Sequence, residues 1–206
     1  MKKIIYIYVL DTLAEWEIGY VLQAISMQNM LKETKYLIKT CGRTKDAIKT
    51  LGGLTLIPDC SMDEIKENEM AALLLPGANT WNDDAQKTIL EMAVTCIEHN
   101  ILVAAICGAT LALADLGVLN NRLHTSNAVE YLCAFSKNYT GKSFYKNELA
   151  VTDGNVITAN TAGGLLWAKH IIEYLNVYSH ETTEAWYKYY STGDGKYYME
   201  LLSSVE

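Results

Sequence analysis

One cysteine in the sequence has neighbours suited to chemistry. In AAICGATLALADLGVL (residues 104–119), Cys107 stands where an apolar run passes through small residues into an apolar helical pattern. Ala105 and Ala109 flank it at minus two and plus two, and Gly108 follows it directly. A strand that turns abruptly into a helix crowds these neighbours, and only small side chains relieve the clash. This is the logic of a nucleophile elbow. A residue at such a turn points outward on a strained backbone. It also lies at a helix N-terminus, where unpaired N–H groups and the macrodipole favour an anion by roughly 0.3–1 kcal/mol. The position therefore predicts a cysteine of lowered pKa. By spacing alone, a buried core cysteine following a strand fits equally well. Cys41, Cys60, Cys96 and Cys133 lack the strand–small–turn–helix context and read as core or incidental surface residues.

The totals bound what such a site can serve. The chain has 206 residues, 50% hydrophobic and 20% charged, with two prolines, which predicts a single domain over residues 1–206 with a sizeable core. MKKIIYIYVL imitates a signal peptide, but the run is short, rich in β-formers and ends at Asp11, so it reads as a buried first strand. No apolar segment reaches the ~20 residues that span a bilayer. A net charge of −7 without a basic cluster argues against nucleic acid and anionic membranes as partners. The five cysteines include no CxxC pair, and CIEH (96–99) supplies two ligands without a second pair, so no metal and no cofactor is expected. With no export signal, free thiols point to the cytoplasm.

Strand-like and helix-like segments alternate along the chain. IIYIYVL (4–10) is followed by an amphipathic run, AEWEIGYVLQAISMQNML, and then by YLIKTC (36–41). Gly52-Gly53 joins two β-rich arms in AIKTLGGLTLIPD, a hairpin signal. AALLLPG (71–77) is an apolar strand stopped by Pro-Gly, DDAQKTILEMAVTCIEHN is helical, and ILVAAIC is the strand that leads into Cys107. Apolar strands separated by helices indicate a mostly parallel sheet covered on both faces. Such sheets bind ligands beyond the carboxyl ends of their strands, which directs attention to loops 11–17, 76–80 and 107–109.

These segments resemble the ThiJ/PfpI family, a branch of the class I glutamine amidotransferase-like superfamily. AAICGATLALADLGVLNNRLHTSN is similar to its nucleophile segment, LLLPGANTW (73–81) to its Pro-Gly loop, and LDTLAEWEIG (10–19) to its first loop. GGLTLIPD (52–59) and TDGNVITANTAGGLLWAKHIIEYL (152–175) resemble its hairpin and its closing strand and helix. The resemblance covers most of residues 3–176 and implies a flavodoxin-like three-layer α/β sandwich with a nucleophile elbow. It maps the reactive cysteine onto Cys107 and the glutamate that hydrogen-bonds it onto Glu17, with Glu15 read as solvated. A carboxyl beside a thiolate helps only while protonated, since a carboxylate would repel it. Glu17 must then be desolvated, with Trp16 or Trp81 contributing; as an ordinary first-turn acid it would instead only favour the dipole. Gly77 and Gly108 are candidates to present N–H groups to an oxyanion, although both also suit simple turns. A homodimer and a small-molecule substrate are implied as well.

The pattern also breaks. Peptidase-like members carry a histidine directly after the cysteine, where this chain has Gly108. Others place histidine or tyrosine after the TS of a later strand, where this chain has Asn127 as a site-lining candidate. His124 lies three positions earlier, an odd offset that points to the opposite face of a strand, so it reads as structural. The His-Glu pair of glutamine amidotransferases has no counterpart. Peptidase and amidotransferase activity are therefore disfavoured. A hydrolase- or glyoxalase-like action on a small carbonyl or acyl electrophile is expected; the alternative is a non-enzymatic, stress-protective redox sensor oxidised at Cys107. Beyond residue 177, HETTEAWYKYYSTGDGKYYMELLSSVE predicts a helical extension of two helices about a turn, packed on the sheet's flank, or else a subunit contact.

Overall fold

The computed structural model describes residues 2–31 and 34–205. Strands β1 (Lys3–Tyr8), β2 (Tyr36–Gly42), β5 (Cys60–Ser61), β6 (Met70–Leu75), β7 (Leu102–Ile106), β8 (Ala150–Asp153) and β9 (Val156–Ala159) form one sheet. Their order is β5-β2-β1-β6-β7-β9-β8. All neighbours are parallel except β8 and β9, which form an antiparallel hairpin turning at Gly154. The hairpin expected at Gly52-Gly53 is a separate antiparallel pair, β3 (Ile48–Lys49) and β4 (Thr55–Leu56).

Strand periodicity divides the core into two layers. Ile5, Ile7, Leu74, Ala104, Ile106 and Ile157 face α1 (Gly19–Ser26) and α5 (Gly164–Tyr174). The alternate residues Tyr6, Tyr8, Leu73, Leu75, Val103 and Ala105 face α2 (Lys87–Glu98), α3 (Gly108–Asp115) and α4 (Val129–Phe135). Successive side chains on a strand point to opposite faces, so a strand apolar at every position must be covered twice. This is the three-layer flavodoxin-like α/β sandwich that the family resemblance implies, with the doubly covered parallel sheet that the alternation predicts.

Two expected elements differ. The amphipathic run after β1 does not form one helix: residues 15–17 are a 3-10 turn, α1 follows, and residues 27–30 tighten to 3-10 again. The segment around His124 is not a strand. It is extended chain with a single parallel bridge to Tyr145, in which His124 N–H donates to Phe144 O and His124 O accepts from Lys146 N–H. The tail forms α6 (His180–Thr192) and α7 (Gly195–Val205), separated by the left-handed Gly193. Trp186 of α6 is fully buried in the α1–α5 layer, and its indole N–H donates to Gln23 Oε1 at 2.6 Å. The aromatic tail is thus packed onto the sheet's flank.

The site follows from the strand order. From β1 the chain crosses outward to β2, whereas from β6 it crosses to β7 on the other side. The crevice at the carboxyl ends of β1 and β6 is therefore the topological switch point, where ligands bind in open α/β sheets. Loops leaving β1, β6, β7 and β9 converge there.

Candidate active site

Cys107 is the pivot between β7 and α3, with φ 57° and ψ −124°, a conformation that costs a side-chain-bearing residue strain. The surroundings enforce it. Cys107 N–H donates to Ala159 O at 3.0 Å on the next strand, while Cys107 O accepts from the Thr110 N–H and, at 2.6 Å, from the Thr110 hydroxyl. Ala105 and Ala109 are completely buried, and a Cβ on Gly108 would come 2.7 Å from Ala78 O. Small neighbours are a steric requirement here.

The loop after β1 brings in an acid. Glu17 closes the 3-10 turn and is 1% exposed. Its Oε2 accepts from Gly77 N–H at 2.7 Å and its Oε1 from the Thr161 hydroxyl at 2.7 Å. A Cβ on Gly77 would stand 2.6 Å from Glu17 Oε2 and 3.1 Å from Cys107 Sγ, so the absent side chain is what lets carboxyl and thiol meet. Burial pushes the Glu17 carboxyl up from its ordinary value, with the bonds from Thr161, Gly77 and Cys107 pulling the other way. Glu15 instead lies at the surface and accepts from Gly52 N–H, pinning the β3–β4 turn.

Asn127 completes the shell. Its Nδ2 donates to Cys107 Sγ at 3.3 Å, and its Oδ1 accepts from Thr161 N–H at 2.9 Å, which fixes the amide's orientation. Burial pushes the Cys107 thiol up, the Asn127 bond opposes this, and the Glu17 charge adds to the rise. This rise runs against the lowered pKa expected from the helix start. Sulfur nevertheless becomes anionic most readily when Glu17 holds the proton, because the repulsion then vanishes and the carboxyl donates.

Two further expectations need revision. Gly77 N–H is not available to an oxyanion, because Glu17 consumes it. Gly108 N–H remains, at a first helical position that has no acceptor within the helix. Trp16 is 56% exposed, whereas Trp81 is buried, with its indole N–H on Pro76 O and its ring beside Gly108, so Trp81 alone of the two walls the elbow. His124 is buried away from Cys107: Nδ1 lies 2.8 Å from Arg122 O and Nε2 2.8 Å from the Tyr139 hydroxyl. Cys96 is buried against Met70, while His99 faces Glu67 at the surface, so CIEH does not form a ligand pair. Thr161 is the residue that sequence reading passes over; its signal is a position just beyond the carboxyl end of β9, a strand next to β7.

The chain matches the model of the DJ-1/PfpI family over residues 2–174. It belongs to that family. Among DJ-1/PfpI relatives, the Bacillus subtilis protein named "Uncharacterized protease YoaZ" is 37% identical over 203 residues, covering 98% of this chain and 97% of that one. "Uncharacterized protease YdeA" of the same organism is 30% identical over 184 residues, covering 89% and 88%. The crystal structure of a thiJ/pfpI family protein from Bacillus anthracis superposes with a TM-score of 0.92 at 34% identity, covering 100% of this chain and 98% of that one. A DJ-1 superfamily protein from Agrobacterium tumefaciens gives 0.78 at 25% identity, covering 93% and 100%. The DJ-1/PfpI match ends at residue 174, so α6 and α7 lie beyond it. Among the described residues, no helix is long and apolar enough to cross a membrane.

Proposed function

We propose that this DJ-1/PfpI protein acts on small electrophilic carbonyl or acyl compounds by addition of the Cys107 sulfur, with Glu17 holding the exchanged proton. The observation that supports it is the desolvated Glu17 carboxyl meeting the Cys107 thiol across Gly77. In the first step the thiol proton passes to Glu17 and the electron pair stays on sulfur. Sulfur then bonds to the carbonyl carbon, the C=O π pair moves to oxygen, and the resulting oxyanion faces Gly108 N–H until it takes the proton back from Glu17. A glyoxalase-like reaction then moves the C–H proton of this hemithioacetal to the neighbouring carbon, and water displaces the sulfur from the resulting thioester. These are proton transfers that one carrier, Glu17, can serve in turn. Amide hydrolysis also needs a group to protonate the leaving amine, and Asn127, standing against the sulfur, has no titrating proton to give. The word "protease" in the relatives' names therefore receives no support from this site.

The test is turnover of methylglyoxal and of a small thioester or ester by purified protein. The expected result is turnover that vanishes in Cys107→Ala. A second reading is favoured by the donors around the sulfur, Asn127 Nδ2 and the start of α3, which suit an oxidised, anionic sulfinate. Stoichiometric peroxide consumption at Cys107 without turnover would select that redox-sensing role. The cysteines are all unpaired, in keeping with a reducing cytoplasm. That setting and a homodimeric state, checked by light scattering, complete the proposal.

A further inference from the structure

A second cavity opens beyond the carboxyl ends of β1 and β2, with a volume of about 300 Å³. Cys107, Glu17 and Asn127 do not line it. The Trp81 ring stands between the two places: it lies 5.8 Å from the ring of Tyr8, which lines the cavity, and beside Gly108 at the elbow. The buried polar side chains of the cavity are Tyr8 and Gln86. Gln86 is 7% exposed, and its Oε1 accepts from the Tyr8 hydroxyl at 2.6 Å. That bond fixes the amide and leaves Nε2 with two N–H donors. Among the described residues no group accepts from this Nε2, and the sealed polar atoms are others, Asn160 Oδ1 and Trp167 Nε1. The Gln86 donors therefore open on the cavity, and a buried donor calls for a partner.

Charges of both signs surround this amide. Among the described residues, Arg43 in the loop after β2 is the one cation on the cavity wall, and Asp11, Asp46 and Asp83 line it too. None of the four takes part in an ion pair among those residues. Asp11 accepts from Lys49 N–H at 2.9 Å and Asp46 from the Thr44 hydroxyl at 2.8 Å, so each keeps lone pairs free. Asp83 makes no capping bond to the turn it precedes. Three carboxylates repel a bare anion, whereas Arg43 and the Gln86 donors offer nothing to a bare cation. A molecule with an ammonium and a carboxylate suits both sets.

We propose that this cavity binds a free apolar α-amino acid. Arg43 and the Gln86 amide take its carboxylate, which the guanidinium fork matches in shape. The aspartates accept from its ammonium, and its side chain lies against Leu10, Ile48 and Ala85. The volume is at the small end of metabolite pockets. The place, outside the carboxyl ends of parallel strands, is where open α/β sheets take ligands. This site is independent of the chemistry proposed at Cys107.

The experiment titrates L-alanine, L-valine and L-leucine into the purified full chain by isothermal calorimetry. Isovalerate, which lacks the ammonium of valine, and isobutylamine, which lacks its carboxylate, are the controls. At least one amino acid should bind with a dissociation constant below about 1 mM. Valine should bind about tenfold or more tightly than either control, the factor that one charge-assisted hydrogen bond supplies. Arg43→Met, at an exposed position, and Gln86→Glu, which keeps an acceptor for Tyr8 but removes the donors, should each weaken binding by about the same factor. Circular dichroism confirms the fold of both. Absence of binding by all three amino acids overturns the proposal. Equal binding of isovalerate or isobutylamine overturns the assignment to a zwitterion, and full affinity in both folded variants overturns the assignment to this cavity.

Discussion

Gly77 and Glu17 are locked together: the Gly77 N–H donates to Glu17 Oε2 at 2.7 Å, and the bare Cα of Gly77 is the floor on which that oxygen rests. The loop after β6 thereby fixes the acid that the loop after β1 carries. The same floor supports the elbow, so one glycine sets the distance between carboxyl and thiol.

Gly77→Ala tests this contact. A methyl group there would come 2.6 Å from Glu17 Oε2 and 2.8 Å from Cys107 Cβ. Both neighbours are held by short hydrogen bonds or a strained turn, so relief requires moving the site. A loss of about 1–3 kcal/mol in stability is expected from such overpacking. Cys107 alkylation should also lose its wild-type pH profile. Unchanged urea midpoints and labelling rates would refute the steric argument.

The strain at Cys107 makes an unusual ordering of variants. Glycine normally destabilises relative to alanine by roughly 0.5–1 kcal/mol through chain entropy. At φ 57°, ψ −124°, alanine retains the strain and glycine does not. Relief of about 1–3 kcal/mol exceeds that entropy cost. Cys107→Gly should therefore unfold at a higher denaturant concentration than Cys107→Ala, although both lack the thiol. The reverse order would show that the turn is unstrained.

The raised Glu17 carboxyl predicts a pH dependence of stability of defined sign. An acid whose pKa is higher folded than unfolded binds more protons in the native state. Folding stability then falls as pH rises from the ordinary value of 4.5 through the raised one. The difference in stability between wild type and Glu17→Gln should shrink over that window, because the variant has nothing to ionise. Urea titrations at a series of pH values measure it; a difference independent of pH would contradict the desolvated carboxyl.

His124 predicts the opposite slope. Burial pushes its imidazole down from 6.5, so the unfolded chain binds more protons, and stability is lost as pH falls below that value. With Arg122 O taking the Nδ1 proton, Nε2 accepts from the Tyr139 hydroxyl. His124→Ala should cost about 2–4 kcal/mol through a cavity and unpaired polar groups. Cys107 labelling in the folded variant should stay at the wild-type rate. A selective loss of labelling would place His124 in the site after all.

Much of this protein was legible in its sequence because periodicity and sterics are local. Ile4 to Tyr8 are apolar at every position, which demands a sheet covered on both faces, and Ala105, Gly108 and Ala109 announce a tight strand-to-helix turn. The aromatic spacing of the tail and its Gly193 break likewise gave two helices. The amphipathic run after Asp11 misled only in length, since the chain must turn Glu17 inward before α1 begins.

Tertiary structure decided the rest, because hydrogen bonds between distant loops follow no period. No pattern shows that Gly77 gives its N–H to Glu17 and not to an oxyanion, or that Thr161, 144 residues from Glu17, holds that carboxyl. The burial around the elbow that pushes the Cys107 thiol up arises only when four loops close over one crevice. A chain's own order fixes its strands and turns; the environment of a titrating group depends on which strands become neighbours.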